Sequence, residues 1–134
     1  VLRGKIAATG AHNMSAVKLD LLADAPPAAR FDRYDLVCLL MVLHHIPATD
    51  LILERFYALL ESPGTLCVAD LDREDGSFHD SAFSGHKGFD RDRLGEQARR
   101  AGFRNARFQT IFDNAKVSGT SVKSFPLFLM VAEK

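Results

Sequence analysis

Between Tyr34 and Pro47 the chain reads YDLVCLLMVLHHIP, an apolar run that closes on two histidines. Residues 34–43 are continuously apolar after Asp35, the pattern of a strand buried on both faces in a parallel sheet covered by helices. The next stretch, ATDLILERFYALLESPG, changes period. Ile52, Phe56, Leu59 and Leu60 share one helical face, Thr49 stands where an N-cap would, and Asp50 favours the positive end of the helix dipole. Pro63-Gly64 is the predicted stop. TLCVADL, residues 65–71, returns to the buried-strand pattern.

Upstream, Arg3 to Thr9 fits the tail of a helix, with Gly10 supplying a left-handed C-cap. SAVKLDL alternates Val17, Leu19 and Leu21 against Lys18 and Asp20, which predicts a short strand over 15–20. ADAPPAAR is a loop, because adjacent prolines continue neither helix nor ladder. Downstream, DREDGSFHDSAFSGHKG is a polar loop. A helix capped by Asp90 follows, with Leu94, Ala98 and Ala101 at helical spacing and Gly102 past its end. Residues 103–112 and 125–132 read as two strands joined without a helix, hence antiparallel neighbours. The order strand, helix, strand, helix, strand, strand predicts an α/β sheet with a reversed hairpin at one edge.

Composition mainly excludes. The 134 residues suit one domain spanning 1–134. The chain is 47% hydrophobic and 25% charged with zero formal net charge, and no basic stripe is present, so nucleic acid and anionic membrane are not expected partners. No apolar stretch approaches the roughly 18 to 20 residues of a membrane span, and no signal-peptide pattern is visible. Cys38 and Cys67 fall in apolar runs and read as small buried hydrophobes in a reducing compartment, which points to the cytoplasm.

In open α/β sheets, ligands bind beyond the carboxyl ends of the strands. Asp20, His44-His45, the DLDREDGSFHD run and His86 all collect there by chain order. His44, His45, Asp70, Asp72, His79 and His86 are an N/O donor set that could hold a metal. Against this, adjacent histidines on an extended chain point to opposite sides, and no HxxxH or HxH spacing occurs. The expectation is no metal, with His44 a packed or capping residue. REDGSFHD also reads simply as a solvated acidic loop turned at Gly76. Ser77, Ser81 and Ser84 sit in no GxSxG elbow, so a nucleophilic triad has no support.

FDRYDLVCLLMVLHHIP, YALLESPGTLCVADLD and LGEQARRAGF, in that order, resemble the C-terminal part of a class I S-adenosylmethionine-dependent methyltransferase. The resemblance covers nearly all of residues 15–134. It implies a Rossmann-like, mostly parallel sheet with helices on both faces and a C-terminal antiparallel hairpin. It implies an enzyme that moves a methyl group from S-adenosylmethionine to a small-molecule acceptor. KLDLL becomes the strand whose Asp20 faces the adenine amino group, with the Leu21 amide near the ring. A carboxylate accepts from an exocyclic amine while a backbone N–H serves a ring acceptor. Leu39, Leu40 and Met41 would pass under the methionyl part, with His44 and His45 at the edge of the transfer centre. Methyl transfer needs in-line alignment, so a base is optional. His45, Asp72, His79 and His86 are the candidates for base or substrate contact.

The family's DxGxGxG loop and the acid that holds the ribose are absent from these residues. By the family's strand order, two strands are missing between 15–20 and 34–42, a gap of about 14 Å. The fold is therefore expected to be incomplete and part of a longer protein. Its unpaired strand edges should favour pairing with another copy. The alternative is a degenerate methyltransferase-like module that binds or assembles without catalysis.

Overall fold

The computed structural model describes residues 1–23, 33–79, 82–118 and 121–134. In chain order the elements are α1 (Leu2–Thr9), β1 (Tyr34–Leu40), a 3-10 turn (Leu43–His45), α2 (Thr49–Leu59), β2 (Leu60–Leu71), α3 (Arg91–Arg100), β3 (Arg104–Ser118) and β4 (Ser121–Glu133). The sheet order is β1-β2-β4-β3. β1 runs parallel to β2, and β4 runs antiparallel to both β2 and β3. The class is α/β and Rossmann-like, as expected. Among the described strands the sheet is mixed, with one parallel pairing, because the hairpin supplies the other two.

Register decides which residues meet the helices. Val37 and Leu39 lie opposite Leu66 and Val68, which in turn lie opposite Ala132 and Met130, with Asp70 opposite Phe128. These positions share one face. Ile52, Leu53 and Phe56 of α2 and Leu94 and Ala98 of α3 pack onto it. Each large apolar side chain buried there contributes about 1.5 to 3 kcal/mol. Both helices cover this same face, and α1 buries no residue. The other face carries a smaller apolar group, Leu71, Phe78, Phe125 and Leu127, with Met41 against it.

Several expectations need correction. Residues 15–20 form no strand: the described residues offer no neighbouring strand to pair with, and Val17 and Leu19 stay exposed. β1 is not buried on both faces. Among the described strands it is the sheet edge, and Leu36 and Leu40, on the face away from the helices, are 54% and 65% exposed. Cys38 is exposed and Cys67 half-buried on that same open face, where they are ladder partners rather than core residues. Thr49 does not cap α2. Ala48 is the N-cap, and the Thr49 side chain is buried elsewhere.

The helix ends at Leu59, before Pro63-Gly64, because Leu60 is already extended and fully buried. Gly64 lies inside β2, where a Cβ would come within 2.6 Å of the Glu61 carbonyl oxygen. Elsewhere the pattern holds. Gly10 caps α1 in the left-handed conformation, at φ 64°. Asp90 caps α3 by accepting from the Arg93 amide at 2.9 Å. The ADAPPAAR loop lies, past Ala23, outside the described residues.

Candidate functional site

The carboxyl ends of the parallel neighbours β1 and β2 lie side by side. β1 stops at Leu40, and Met41 turns the chain with φ 53° while its amide donates to the Ala69 carbonyl at 2.9 Å. The chain then winds into the Leu43–His45 turn, so His44 and His45 do not sit on extended backbone. Their rings lie 4.2 Å apart, centroid to centroid, on the same side. The premise that adjacent histidines diverge fails here because a helical turn, not a strand, carries them.

His44 is buried, and so is Asp70 at the end of β2. The His44 Nδ1 lies 2.7 Å from Asp70 Oδ1, and the His44 amide donates to Oδ2 at 3.2 Å. Oδ1 also accepts from the Leu71 amide at 2.8 Å. A carboxylate only accepts, so Nδ1 carries a proton, and in the neutral ring the lone pair then lies on Nε2. That Nε2 is buried and meets no hydrogen-bond partner among the described residues.

His79 comes from the loop after β2. Its ring stacks on Phe83 at 3.8 Å and lies 5.0 Å from the ring of His44. Its Nε2 is likewise buried and without a partner among the described residues. Burial pushes the His79 imidazole below its ordinary value, with His44, His45 and Lys116 adding to the effect. His45 is exposed at the lip, 5.7 Å from His79.

The loop is held in place from two sides. Glu74 accepts from the amides of Gly76 and Phe78 at 2.7 and 3.1 Å. From the far end of the β3–β4 hairpin, Lys116 donates to the Phe78 carbonyl and lies 3.9 Å over the Phe78 ring. Lys123 pairs with Asp75 and donates to Ser77 Oγ at 2.6 Å. The Lys123 ammonium holds the Asp75 carboxyl far below the usual range.

The other expected residues divide. Asp72 takes two bonds from Arg91, at 2.6 and 2.5 Å, which fasten the loop to α3. His86 Nε2 lies 3.0 Å from the Ile46 carbonyl and 3.1 Å from Thr49 Oγ1, and its amide donates to the His44 carbonyl at 2.8 Å. Both side chains are occupied in bracing the site. A cleft of about 350 Å³ beside His86 is lined by Thr49, Arg73, Lys87 and Arg93 among others, but by none of His44, His45 or His79. Asp20 is exposed and accepts from the Leu22 amide at 2.9 Å. Leu21 and Leu22 pack against the same core as Leu39. Leu40 faces outward, and Met41 packs against the smaller apolar group. Asp70 entered the sequence reading only as a possible metal donor, and its grip on His44 was missed. The signal was present: a lone acid ends the apolar run TLCVA on the strand beside the one that ends in two histidines.

The family model for the methyltransferase domain matches residues 5–109. The chain belongs to that family. No curated protein matches it significantly. Among solved structures, a candidate methyltransferase of Bacillus halodurans superposes with TM-score 0.69 at 17% identity, covering 98% of this chain and 76% of that one. PigF, solved with SAH, gives 0.67 at 22% identity, covering 99% and 39%. A candidate O-methyltransferase of Nostoc punctiforme gives 0.53 at 20% identity, and there the chain covers 77% of itself and 32% of its counterpart. These likenesses establish the methyltransferase fold. This chain therefore spans about a third of the length of two of these three. No helix among the described residues is long and apolar enough to cross a membrane.

Proposed function

We propose that the protein is an S-adenosylmethionine-dependent methyltransferase acting on a small molecule with an ionisable hydroxyl or amine. The observation that carries this reading is the buried His44–Asp70 pair at the strand ends of a methyltransferase-family domain, with the His44 Nε2 unclaimed among the described residues. Residues 1–134 act as one partial domain of that enzyme, and the free thiols of Cys38 and Cys67 suit the cytoplasm.

The described residues fit the cofactor in part. Exposed Asp20 offers an acceptor for an adenine amine, and the Leu39–Met41 strand end gives a ledge for the methionyl chain. When bound, S-adenosylmethionine supplies an electrophilic methyl group. His44 Nε2 then takes the proton from the acceptor, and Asp70 fixes the tautomer and balances the imidazolium that results. His45 and His79 line the approach. Such a base contributes about 10²- to 10⁴-fold, and alignment supplies the rest.

Calorimetry of the full-length protein with S-adenosylhomocysteine is the test. Asp20→Ala should weaken binding by about 1 to 3 kcal/mol, the range for one hydrogen bond to a charged group. Wild-type affinity in that variant would remove the adenine assignment. No binding in either protein would favour the alternative, a non-catalytic module, which the unpaired 15–20 segment otherwise supports.

A further inference from the structure

The turn after β1 and the loop after β2 bring three imidazoles together. His44, His45 and His79 each offer a ring nitrogen, and these atoms lie within 4.8 Å of one another. Four-coordinate zinc with nitrogen ligands places neighbouring ligand atoms about 3.4 Å apart, from bonds of roughly 2.0 to 2.1 Å. The gap is small, and the exposed His45 side chain is the one free to close it.

Two further observations point to a ligand. His44 Nε2 and His79 Nε2 are both buried and without any hydrogen-bond partner among the described residues. Buried polar atoms in that condition are rare and call for an occupant. In addition, Asp70 holds the opposite nitrogen of His44 at 2.7 Å. A carboxylate behind a histidine in this way fixes the ring, directs Nε2 and raises its basicity toward a metal. His79 is oriented just as firmly, by stacking on Phe83 and by a loop tied to Lys116.

We infer that His44, His45 and His79 form a binding site for one divalent first-row cation, best matched by Zn²⁺. Three imidazoles without a carboxylate in direct reach suit zinc and its neighbours, whereas Mg²⁺ and Ca²⁺ require oxygen ligands. The fourth position stays open to water. Asp70 is a positioning residue for this site. The inference goes beyond the methyl-transfer reading and does not rest on it. The two meet at one atom: a bound cation takes the His44 Nε2 lone pair that the base uses, so Zn²⁺ acts on methyl transfer as an inhibitor.

The test is calorimetric titration of metal-free, full-length protein with Zn²⁺, and with Mg²⁺ as the control, in the absence of cofactor. One Zn²⁺ should bind and Mg²⁺ should not. His45→Ala removes an exposed side chain and leaves the core intact, so it remains informative if a change at His79 unfolds the loop. His45→Ala and His79→Gln should each weaken Zn²⁺ binding by at least about tenfold. Circular dichroism checks the fold of each variant. Absence of Zn²⁺ binding, or wild-type affinity in either folded variant, overturns the inference. Failure here leaves S-adenosylhomocysteine binding untouched, so the two proposals fall separately.

Discussion

Replacing Asp70 by asparagine tests the centre of the site without changing its shape. The carboxylate is fully buried and accepts from His44 Nδ1, from the His44 amide and from the Leu71 amide. A carboxamide has one accepting oxygen. With that oxygen at the Oδ1 position, the bonds to His44 Nδ1 and Leu71 survive, but the new amine faces the His44 amide, donor against donor. In the flipped orientation the amine faces His44 Nδ1, which can respond by losing its proton, and it also opposes the Leu71 amide. Either way one charge-assisted bond is lost and a buried donor is left unmet. The expected cost is about 1.5 to 3 kcal/mol, without a discount for solvent because the group is buried. Chemical denaturation reads this cost directly, and imidazole ¹⁵N NMR reads the tautomer of His44. In the wild type Nε2 should be unprotonated. In Asp70→Asn the Nε2 lone pair should be partly or wholly lost to the other tautomer. A variant within about 0.5 kcal/mol of wild type, with His44 in its original tautomer, would show that Asp70 neither supports the turn nor sets the base.

The remaining predictions concern the braces and the edge. Lys116→Ala with Lys123→Ala should speed amide exchange at Gly76 and Phe78, since these lysines tie the loop to the hairpin; unchanged exchange would mean that Glu74 alone holds it. Asp75, whose folded value lies below its unfolded one, contributes stability that is present above the ordinary carboxylate range and lost as pH falls below it. Loop exchange should therefore quicken on acidification, and Asp75→Asn should abolish that response; because the pair is exposed, salt should weaken it as well. Finally, the 134-residue chain alone should self-associate in sedimentation, through Tyr34, Leu36 and Leu40 beside the edge of β1 that is unpaired among the described residues. Leu36→Lys with Leu40→Lys should restore a monomer, and a monomeric wild-type chain would remove the edge argument.

The fold was legible where one local signal agreed with its surroundings. Asp90 caps α3 because its side chain reaches the Arg93 amide within one turn, a matter of three residues and no tertiary context. The β3–β4 hairpin was legible for a similar reason, although its strands run farther than the apolar pattern does. Val117 and Val122 are paired but 78% and 70% exposed, so no burial marks the end of the ladder. SAVKLDL shows the converse. Its alternation is correct for a strand, yet alternation only prepares a face and cannot supply a partner. β1 shows the same limit from the other side. An apolar run predicts a strand, but whether both faces are covered depends on neighbours that the run itself does not contain.

The site was half legible, and the missing half was a matter of backbone conformation. Chain order placed His44, His45, His79 and His86 at one end of the sheet, which holds. What chain order does not give is the single 3-10 turn over Leu43–His45, and every chemical property follows from that turn. On a strand, His44 and His45 would diverge and neither would reach Asp70 by both side chain and amide. On the turn, the His44 backbone and ring grip the same carboxylate, His45 swings to the same side, and His79 meets them from the loop. Asp72 and His86 looked equally suited by residue type. Arg91 saturates the first, and the Ile46 carbonyl with Thr49 occupies the second. Residue type therefore nominates candidates, while the buried lone pairs left unclaimed after all such bonds are counted select among them. By that criterion His44 and His79 stand out, as the two histidines whose buried Nε2 atoms have no partner among the described residues, with Asp70 behind His44.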